Sequence, residues 1–578
     1  MCRACRGAKT RAIERRGDAR AGDFEHISGA ACQTCENENG SRRLSALDGA
    51  SYDVVIAGAG AAGSSFAMEL ARVGGWGAGA GAGARALALG RDARAKRVRA
   101  EADGGGAVGA LARRHAVTMV SLASVRSRAV EAVEGEIFAV DAEARRVRAR
   151  DGGGEATISY GTLVIATGAV PRWPMPVDVC EDAVDVRCVR DVEDVEALAR
   201  TVVATATRAG GARRVALAGN GGIALELVDA LCGTGLDVPG LEECELTWLV
   251  RHGEVGDAFF DVDAAEFLSR ALEARRASGE TAGRARATGE EKAPKRAKFS
   301  SSRPPRARSS KFASAAAGPD WIARFRAETA EATPGPRAST RRRMRLRVVK
   351  NAEIRDAKRI VETGASVLTL SNGSTVEVDL VVAAAGVEPR CDWLSADVAP
   401  RSSVDGGILV DECMRTVGPY ADSILAIGDA CTMESRSNKL DVPWFQMRLW
   451  SQAAQAGAFA ARVVAGVADA DAFGFNYELF THVTTFFGLK VILLGLYNAQ
   501  KLDREPESDV VTYQRETLGD EPTYVRVLLL RGRMMGAVLI GETDLEETFE
   551  NLILDGVDLS RFGPELLDPE ADLEDYFD

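Results

Sequence analysis

Apolar residues fall into short, strand-sized runs, and the first run leads into a glycine-rich turn and a helix. Residues Asp53–Ala57 are mostly apolar and run directly into Gly58-Ala-Gly60-Ala-Ala-Gly63. The apolar positions that follow share one helical face and include Ala67, Leu70 and Ala71. This pattern predicts a strand, a tight turn and a helix. Two more apolar runs predict strands at Arg85–Leu89 and Thr162–Ala166.

The same order of strand, turn and helix returns further along the chain. The apolar run Arg214–Ala218 leads into Gly219-Asn-Gly221-Gly222-Ile-Ala224, and the next strand is predicted at Glu245–Val250. Regular patterning stops near residue 275 and resumes near Arg345. Later apolar runs end at Gly386 and at Gly428-Asp429.

The end of the chain has a different pattern, with alternating strands at Tyr524–Leu530 and Met535–Ile540 before a helix at Asp544–Leu554. We therefore predict an α/β fold with two Rossmann-like dinucleotide-binding domains, the second inserted into a discontinuous first, and a small C-terminal α+β domain. The predicted boundaries are residues 1–48 for an extension, 50–190 and 386–468 for the first domain, 191–385 for the second, and 469–578 for the last.

Length and charge single out one region. A chain of 578 residues is too long for a single core. Its net charge is -12, yet residues 275–311 hold twelve Lys or Arg against three Glu. With little apolar periodicity, this stretch predicts a disordered basic insertion at residues 275–340. The run Lys292–Lys298 favours a nuclear-import signal over direct nucleic-acid binding. No apolar run is long enough to predict a membrane span.

The eleven cysteines are widely spread and odd in number, which favours a reducing compartment over a disulfide framework. Four of them form two CxxC pairs in the extension, Cys2, Cys5, Cys32 and Cys35. Such pairs are typical zinc ligands. The gap of 26 residues between the pairs exceeds the usual spacing. Zinc binding, an extension without function and a wrongly assigned start site are therefore alternative interpretations.

Each glycine of the first loop has a mechanical role in binding a pyrophosphate. Gly58 permits the tight turn, Gly60 lets the backbone approach the phosphates, and Gly63 allows the helix to pack closely on the strand. The amides and dipole of the helix N-terminus attract the phosphates. A plain strand–turn–helix is the alternative. Asp92 is the candidate for binding a ribose hydroxyl, and a solvated loop aspartate is the other interpretation.

The second loop closes with Ala224, which still permits close packing between helix and strand. The strand after it ends in Arg251 and His252. An acid at this position favours NAD, whereas a basic residue accepts the 2′-phosphate of NADP. The sequence therefore favours NADPH, with Arg251 as the phosphate ligand. Ordinary surface charge is the alternative for both residues.

With these loops, Ala166-Thr167-Gly168 and Gly428-Asp429, the chain resembles the two-dinucleotide flavoprotein reductases, the superfamily of glutathione reductase and ferredoxin reductase. The resemblance implies FAD in the first domain and NAD(P)H in the second. The implied FAD-binding residues are Gly58, Gly60, Gly63, Ala166, Thr167, Gly168, Gly428 and Asp429, with Asp92 as a candidate. The implied NAD(P)-binding residues are Gly219, Gly221, Gly222, Ala224, Glu226, Arg251 and Gly386.

Four stretches are similar to one family in particular: Asn220–Val228, Gln446–Trp450, Gly532–Leu554 and Asp572–Asp578. That family is pyridine nucleotide-disulphide oxidoreductase domain-containing protein 1. The similarity covers roughly residues 50–578, but it omits the extension, and the Gly-rich loop near residue 80 departs from the pattern. It implies an FAD-dependent enzyme that nominally acts on sulfur groups. It also implies a link to oxidative-stress defence, protection of the tRNA ligase complex, and residence in nucleus and cytoplasm.

The redox cysteines of the superfamily have no counterpart here. Disulphide reductases carry CxxxxC after the FAD loop or CxxC in the NAD(P)H domain, but no cysteine occurs between Gly58 and Val179. Between Gly219 and Gly386 only Cys232 and Cys244 occur. We therefore expect an FAD-dependent NAD(P)H oxidoreductase without a redox disulphide, whose electron acceptor the sequence does not name. A slow-turnover protein that binds nucleotides and protects an RNA-processing complex is the alternative.

The sequence assigns no catalytic residue, and Glu226 and Gln446 are the candidates. The resemblance implies that Glu226 lies near the nicotinamide and the flavin. It also implies that Gln446, on a helix after Pro443, lies near the flavin ring. A purely structural role is the alternative for both. Cys431 follows Gly428-Asp429, and we interpret it as a packed small hydrophobe rather than a reactive thiol.

Overall fold

A computed structural model describes residues 44–74, 84–91, 94–101, 114–127, 129–175, 183–190, 192–207, 214–233, 240–278, 298–302, 342–433, 445–469, 479–500, 502, 505–518, 521–541 and 543–568. These residues form two α/β units and a C-terminal α+β unit.

The first α/β unit is assembled from two separate segments of the chain. Its first segment contains β1 (Ser51–Ala57), α1 (Ala61–Val73), β2 (Ala86–Gly90), β3 (Arg94–Glu101), β4 (Arg114–Ser121), β5 (Val130–Glu134), β6 (Glu136–Asp141), β7 (Arg146–Asp151), β8 (Gly154–Ile165) and β9 (Ala169–Pro171).

The second α/β unit follows it without returning to the first sheet. Its elements are β10 (Val186–Cys188), α2 (Val192–Thr207), β11 (Arg214–Ala218), α3 (Gly222–Val228), β12 (Glu245–Val250), α4 (Val262–Ser278), β14 (Arg345–Lys350), β15 (Ile354–Arg359), β16 (Ser366–Leu370), β17 (Thr375–Val378) and β18 (Leu380–Ala383). Strand β13 (Lys298–Ser302) lies between α4 and β14 in the chain but belongs to the sheet of the C-terminal unit.

The chain then goes back to the first unit and ends in the C-terminal unit. The returning elements are β19 (Val387–Pro389), β20 (Ile408–Val410), β21 (Ile424–Ala426), β22 (Cys431–Met433) and α5 (Trp450–Val464). The C-terminal elements are β23 (Thr481–Phe486), β24 (Leu489–Gly495), β25 (Val510–Thr517), β26 (Thr523–Leu530), β27 (Arg533–Ile540) and α6 (Glu546–Asp555).

The sheet of the first unit confirms the predicted discontinuous fold. Its strand order is β5-β2-β1-β8-β7-β6, and β21 pairs with β8 in parallel. Strand β1 lies between β2 and β8, parallel to both. Because β1 is central and covered on both faces, its end reads as the continuous apolar run Val54–Ala57. Helix α1 packs against α5 from the returning segment, and Gly457 permits the close approach, since a Cβ there would overlap the carbonyl oxygen of Ala62.

The second unit is built on a parallel five-stranded sheet in the order β10-β18-β11-β12-β14. Helix α3 follows β11 directly, as the repeated strand–turn–helix pattern predicts. An antiparallel sheet, β15-β16-β17, covers part of this unit. The inserted Rossmann-like arrangement is confirmed.

The C-terminal unit is an antiparallel sheet in the order β13-β25-β26-β27-β24-β23. Its outer face packs on α6, and its inner face contributes Phe486, Val491 and Leu493 to the same core as Trp248 and Phe259 of the second unit. The predicted α+β character of this unit is confirmed, and its core is partly shared with the second unit. The inner face of this sheet has no core of its own, because the second unit covers it.

A buried ion pair joins these two units. Arg526 Nη1 on β26 donates to Asp261 Oδ1 over 2.6 Å, and each side chain is only 2% exposed. Asp261 also accepts from the backbone nitrogens of Asp263 and Ala264, at the start of α4. Breaking a buried pair leaves an uncompensated charge. The contact therefore holds the C-terminal sheet against α4.

Two predicted boundaries are corrected. The disordered insertion at 275–340 begins inside α4, which extends to Ser278. It also contains β13, which pairs antiparallel with β25 through backbone hydrogen bonds. The polar sequence of β13 does not predict this strand. In the extension, Leu44 and Leu47 form a short 3-10 turn, and both are buried in the core of the first unit. The rest of both segments lies outside the described residues, including the candidate zinc ligands and the Lys292–Lys298 run apart from Lys298.

Two observations bear on membrane and metal. Among the helices in the described ranges, none is both long and apolar enough to cross a membrane. The same part of the chain contains no group of three or more His, Cys, Asp or Glu that could hold a metal ion. Cys2, Cys5, Cys32 and Cys35 lie outside it, so zinc binding stays a prediction.

Candidate functional site

The first glycine loop connects β1 to α1 in the geometry expected of a phosphate-binding turn. Gly58 has φ of +119°, and a Cβ there would overlap the carbonyl oxygen of Ala166. A Cβ at Gly63 would overlap the carbonyl oxygen of Gly58. Gly60 caps the N-terminus of α1, and a Cβ there would meet no atom within 4 Å. The loop is therefore packed tightly at its first and last glycines and open at its middle one.

The Ala166-Thr167-Gly168 turn lies beside this loop. Ala166 donates its backbone nitrogen to Ala57 O over 2.9 Å, so the turn continues directly from the strand next to β1. Thr167 Oγ1 donates to the carbonyl oxygen of Arg390 over 2.6 Å, and Arg390 N donates to Gly168 O over 2.8 Å. These bonds fix the crossing between the two halves of the first unit.

The Gly428-Asp429 turn brings the returning segment to the same place. Gly428 has φ of +66°, and a Cβ there would approach Ala62 Cβ of α1 to 2.8 Å. Asp429 is 6% exposed and forms an ion pair with Arg190 Nη2. Arg448 Nε donates to the backbone oxygen of Asp429 over 3.1 Å, and this hydrogen bond stabilises the turn.

Arg448 is itself held by a buried carboxylate. Its Nη2 forms an ion pair with Asp405, and both side chains are almost fully buried. Burial acts to raise the pKa of Asp405, but the Arg448 charge and the hydrogen bonds from Arg448, Thr432 and Ser402 outweigh it, so the pKa lies below its usual value. The Asp405 carboxylate is therefore charged at neutral pH, and the pair fixes the turn electrostatically.

These three motifs line one cavity of about 440 Å³, a volume typical of sites for small molecules and cofactors. The amides at the N-terminus of α1 open onto it, with the positive end of the helix dipole. Residues from both chain segments contribute, together with Arg190 and Asp194 from the second unit. The lining includes Gly58, Gly60, Ala166, Thr167, Gly168, Lys96, Glu136, Arg390, Trp393, Asp429 and Trp450.

The cavity accommodates a dinucleotide on the evidence of its own residues. The open space at Gly60 leaves room for a phosphate against the backbone, as the sequence predicts. Lys96 adds a cation to the lining, and Glu136 adds a carboxylate that is paired with Arg390. Asp92, the predicted ribose ligand, lies outside the described residues. Glu136, the first residue of β6, lines the cavity together with the carboxylates of Asp194 and Asp429.

The second glycine loop has the same design between β11 and α3. Gly219 has φ of +146°, and a Cβ there would overlap the carbonyl oxygen of Ala384 at the end of β18. Gly221 caps α3 with open space around it. Ala224 is fully buried, and Gly222 is buried at the first position of α3. The methyl group of Ala224, which stands where the motif has its last glycine, is thus accommodated.

Asn220 organises the segment that faces the second loop. Its Nδ2 donates to Glu254 O over 2.8 Å and to Asp257 Oδ1 over 2.6 Å, and its Oδ1 accepts from Gly256 N over 2.7 Å. All of these groups follow the end of β12. Asn220 therefore closes the segment after β12 onto the loop, a role that the spacing of the glycines did not reveal.

Arg251 lies at the end of β12, where we predicted a ligand for a 2′-phosphate. Its side chain is 66% exposed, and its Nε is 2.6 Å from Glu353 Oε1. Glu353 also pairs with Arg355 over 3.3 Å. A phosphate at Arg251 would therefore compete with Glu353. Gly386, with φ of +91° and open space around it, lies in the connection between the second unit and β19.

Glu226 lies at the interface between the second unit and the C-terminal sheet. It is 2% exposed, and its Oε1 accepts from Thr484 Oγ1 over 3.2 Å. His482, on the same strand, packs edge-on against Phe259 at 5.7 Å between ring centroids. Burial lowers the pKa of His482 to about 4, so the imidazole is neutral at physiological pH. The structure thus joins Glu226 to the C-terminal unit, which its sequence position did not indicate.

Gln446 is held by the strand that follows Gly428-Asp429. Its Nε2 donates to Cys431 O over 2.9 Å, and its Oε1 accepts from Met433 N over 2.9 Å. The expectation that Gln446 lies on a helix is wrong, because α5 begins at Trp450. Phe445, Met447 and Leu449 alternate into the core, which holds this segment extended.

Cys431 has the packing expected of a small apolar residue. It is 2% exposed, and burial raises its pKa to about 12. Its Sγ lies 3.3 Å from Gly428 O and 3.9 Å from Gln446 Nε2. Six described cysteines are free thiols. A thiol with such a pKa is protonated at neutral pH and is a poor nucleophile.

Sequence motifs did not single out the arginines that complete the first site. Arg190 follows β10 and Arg448 precedes α5, and both lack a glycine signature. The available signal for Arg448 was its place in the Gln446–Trp450 stretch. For Arg190 the sequence offered no signal.

Comparisons with known proteins agree with this geometry. A family model described as "Pyridine nucleotide-disulphide oxidoreductase" matches residues 52–288 and 336–457. The chain is 36% identical over 438 residues to a human protein named pyridine nucleotide-disulfide oxidoreductase domain-containing protein 1, covering 72% of this chain and 79% of that protein. The protein of the same name from Dictyostelium discoideum is 31% identical over 504 residues, covering 77% of this chain and 86% of the relative.

Solved structures are similar in fold at low identity. The water-forming NADH oxidase from Lactobacillus brevis, bound to NADH, has a TM-score of 0.55 at 13% identity, covering 88% of this chain and 91% of that chain. A NAD-dependent persulfide reductase from A. fulgidus has a TM-score of 0.55 at 16% identity, covering 88% and 78%. The match to the family model and the identity to these relatives show that the chain belongs to the pyridine nucleotide-disulphide oxidoreductase family. Within it, the chain groups with the proteins named pyridine nucleotide-disulfide oxidoreductase domain-containing protein 1.

Proposed function

We propose that this protein is an FAD-dependent NAD(P)H oxidoreductase that works without a redox disulphide. The observation that supports this most directly is the single cavity lined by the first glycine loop, the Ala166–Gly168 turn and the Gly428-Asp429 turn. A second glycine loop of matching geometry lies in the inserted unit. In this proposal the first site binds FAD and the second binds NAD(P)H.

FAD, when bound, would accept a hydride from the nicotinamide and release its electrons singly or in pairs to an acceptor. The protein's part is to bind and orient. The amides at the start of α1 would hold the pyrophosphate at Gly60, and the Asp429 carboxylate would hold the ribityl part of FAD. The N-terminus of α5, at Trp450, directs its positive dipole towards the cavity that Trp450 lines, which favours negative charge there.

We further propose that the nicotinamide site uses NADPH in preference to NADH. The support is Arg251 at the end of β12, where an acid would favour NAD. Glu353 moderates the preference, since its carboxylate lies 2.6 Å from Arg251 Nε. The NADH oxidase and persulfide reductase of similar fold are named for NADH and NAD, so the nucleotide preference of this chain is to be measured directly.

We propose that electrons do not pass from the flavin to the acceptor through a pair of protein thiols. The thiol beside the cavity, Cys431, is buried with a pKa of about 12 and hydrogen-bonds to Gly428 O. The family name nominally refers to sulfur groups, but the described structure offers no paired thiol near the cavity to carry that chemistry.

We propose a second candidate function, which rests on the resemblance to the family. A flavin site without a thiol relay suits a protein that turns over slowly and protects an RNA-processing complex. Resemblance to the family extends this proposal to the tRNA ligase complex, to oxidative-stress defence, and to residence in nucleus and cytoplasm. The basic run Lys292–Lys298 would supply the import signal.

The test is to purify the full chain, release the bound cofactor by denaturation and identify it, and then mix the oxidised protein with NADPH or NADH without oxygen. The proposal expects FAD at about one per chain and loss of visible flavin absorbance on mixing. Fast reduction with fast reoxidation by an added acceptor supports the enzyme. Fast reduction with slow reoxidation by every acceptor supports the protector. Colourless protein that takes up no FAD rejects both.

A further inference from the structure

Arg190 belongs to the second unit by its place in the chain, yet its side chain lies in the cavity of the first unit. It follows β10 and precedes α2, and its backbone nitrogen donates to Asp194 Oδ2 over 2.9 Å. Its Nη2 forms an ion pair with Asp429, with the two side chains 12% and 6% exposed. One guanidinium thus connects the inserted unit to the cofactor cavity.

The other end of this guanidinium is not satisfied by protein. Nη1 of Arg190 is buried and has no hydrogen-bond partner in the described part of the chain. Two further residues that line the same cavity, Trp393 and Trp450, each carry a buried indole nitrogen in the same condition. Buried donors without acceptors are rare in native proteins and call for a partner. Three of them around one cavity point to acceptor atoms on a ligand.

We propose that Arg190 is a positioning residue that couples cofactor occupancy to the placement of the second unit. Its Nη2 orients the Asp429 carboxylate, and its Nη1 donates to an oxygen of the flavin half of FAD. The inference rests on the proposed FAD function. Binding of the cofactor then completes the hydrogen bonding of a residue anchored at the start of α2, so an occupied cavity holds the nicotinamide-binding unit in place.

The charge of Arg190 has a second consequence. Without it, the Asp429 carboxylate would be a buried, uncompensated anion beside the cofactor. That anion would disfavour any negative charge gained by the flavin on reduction. Arg190 therefore keeps the midpoint potential of the bound cofactor higher than Asp429 alone would allow.

The test uses the full chain with Arg190→Gln, Arg190→Lys and a matched control, Arg187→Gln. Arg187 lies on β10, is exposed and pairs with Asp185 outside the cavity. FAD affinity is measured by quenching of flavin fluorescence, the midpoint potential by dye equilibration, and protection of α2 by amide hydrogen exchange with and without FAD. Arg190→Gln should bind FAD about 10- to 100-fold more weakly, the range for loss of a charge-assisted hydrogen bond.

Arg190→Gln, saturated with FAD, should also have a more negative potential and should lose the protection that FAD gives to α2 in the unaltered protein. Arg190→Lys keeps the charge, so its potential should stay close to that of the unaltered protein while its affinity falls; it also serves if the glutamine variant does not fold. Unchanged affinity, potential and α2 protection in both Arg190 variants would overturn the inference. An unaltered protein that binds no FAD would instead overturn the proposed function.

Discussion

Gly60 and Gly63 lie three residues apart in one loop, yet a side chain at each would meet different surroundings. At Gly60, φ is -67° and no atom lies within 4 Å of a Cβ, so a side chain fits the backbone and points into open space. At Gly63, a Cβ would overlap the carbonyl oxygen of Gly58. The fold therefore requires a glycine at Gly63 but not at Gly60, where only the proposed pyrophosphate would require one.

Changing Gly60 to Val should yield folded but colourless protein, because the new side chain occupies the approach of the pyrophosphate. The expected loss of FAD affinity is about 100-fold or more, and thermal unfolding of the FAD-free protein should shift by only a few degrees. Gly63→Ala is the matched variant and should lower the unfolding temperature of FAD-free protein far more. Full flavin retention by Gly60→Val would remove the assignment of this loop.

Arg251 and Glu353 make a testable pair at the second loop. Replacing Arg251 with Glu should reverse the preference for NADPH, because the 2′-phosphate loses its cation and meets an anion. Replacing Glu353 with Gln should instead improve NADPH use by about two- to fivefold, the scale of an exposed ion pair that no longer competes. Arg355→Gln, which removes the other cation paired with Glu353, is the control. Rates of flavin reduction with each nucleotide measure this, and equal efficiency of NADH and NADPH in the unaltered protein would make Arg251 ordinary surface charge.

At the scale of elements, glycine loops were predictable and edge strands were not. Strands β11 and β12 match their predicted bounds, Arg214–Ala218 and Glu245–Val250, because central parallel strands are apolar throughout. Strand β13, Lys298–Ser302, is polar and basic, so neither periodicity nor composition predicts it. Its conformation comes from backbone pairing with β25, a tertiary contact that local sequence does not encode.

The same reasoning explains which residues of the candidate site the sequence did not predict. Gly58, Gly60 and Gly63 carry a signature because their role depends on the backbone. Arg190 and Arg448 act through side chains that reach the site from distant points in the chain, so only the folded structure brings them to Asp429. Sequence spacing identifies the glycine loop that is proposed to bind phosphate, whereas the contacts of Arg190 and Arg448 with Asp429 are visible only in the folded structure.

Deleting residues 280–311 should leave the core and the FAD content intact, since β13 is an edge strand, but it should expose β25. An unpaired edge offers backbone hydrogen bonds to another chain. We therefore expect the deletion protein to self-associate at concentrations where the full chain does not, measured by light scattering after gel filtration. Deleting residues 280–294 spares β13 and is the control. Equal behaviour of the two deletions would mean that β13 adds nothing to the sheet edge.

For the whole molecule, the main departure from the expected domain plan is the core shared between the second and C-terminal units. Phe259, Trp248 and Phe486 belong to one cluster, and Arg526 and Asp261 pair within the same interface. The C-terminal sheet is covered on its inner face by the second unit and on its outer face by α6. The second unit and the C-terminal sheet therefore share one core, and the contacts of the second unit with the first include the Arg190–Asp429 pair.

The number of electrons that the whole protein accepts separates a flavin-only enzyme from a thiol enzyme. The cysteine nearest the Gly428-Asp429 turn, Cys431, is buried with a pKa of about 12. It hydrogen-bonds to Gly428 O, and none of the six described cysteines forms a disulfide. Anaerobic titration should therefore need two electrons per chain and should end at fully reduced FAD. A disulphide reductase would take four electrons and would pass through a state with a thiolate-to-flavin absorbance band at long wavelength.

Cys431→Ser should leave nicotinamide-driven reduction of the flavin almost unchanged, because a protonated thiol and a hydroxyl can both donate to Gly428 O. Uptake of four electrons that falls to two in Cys431→Ser would show that this thiol exchanges electrons with the flavin, and the protein would then be a thiol enzyme.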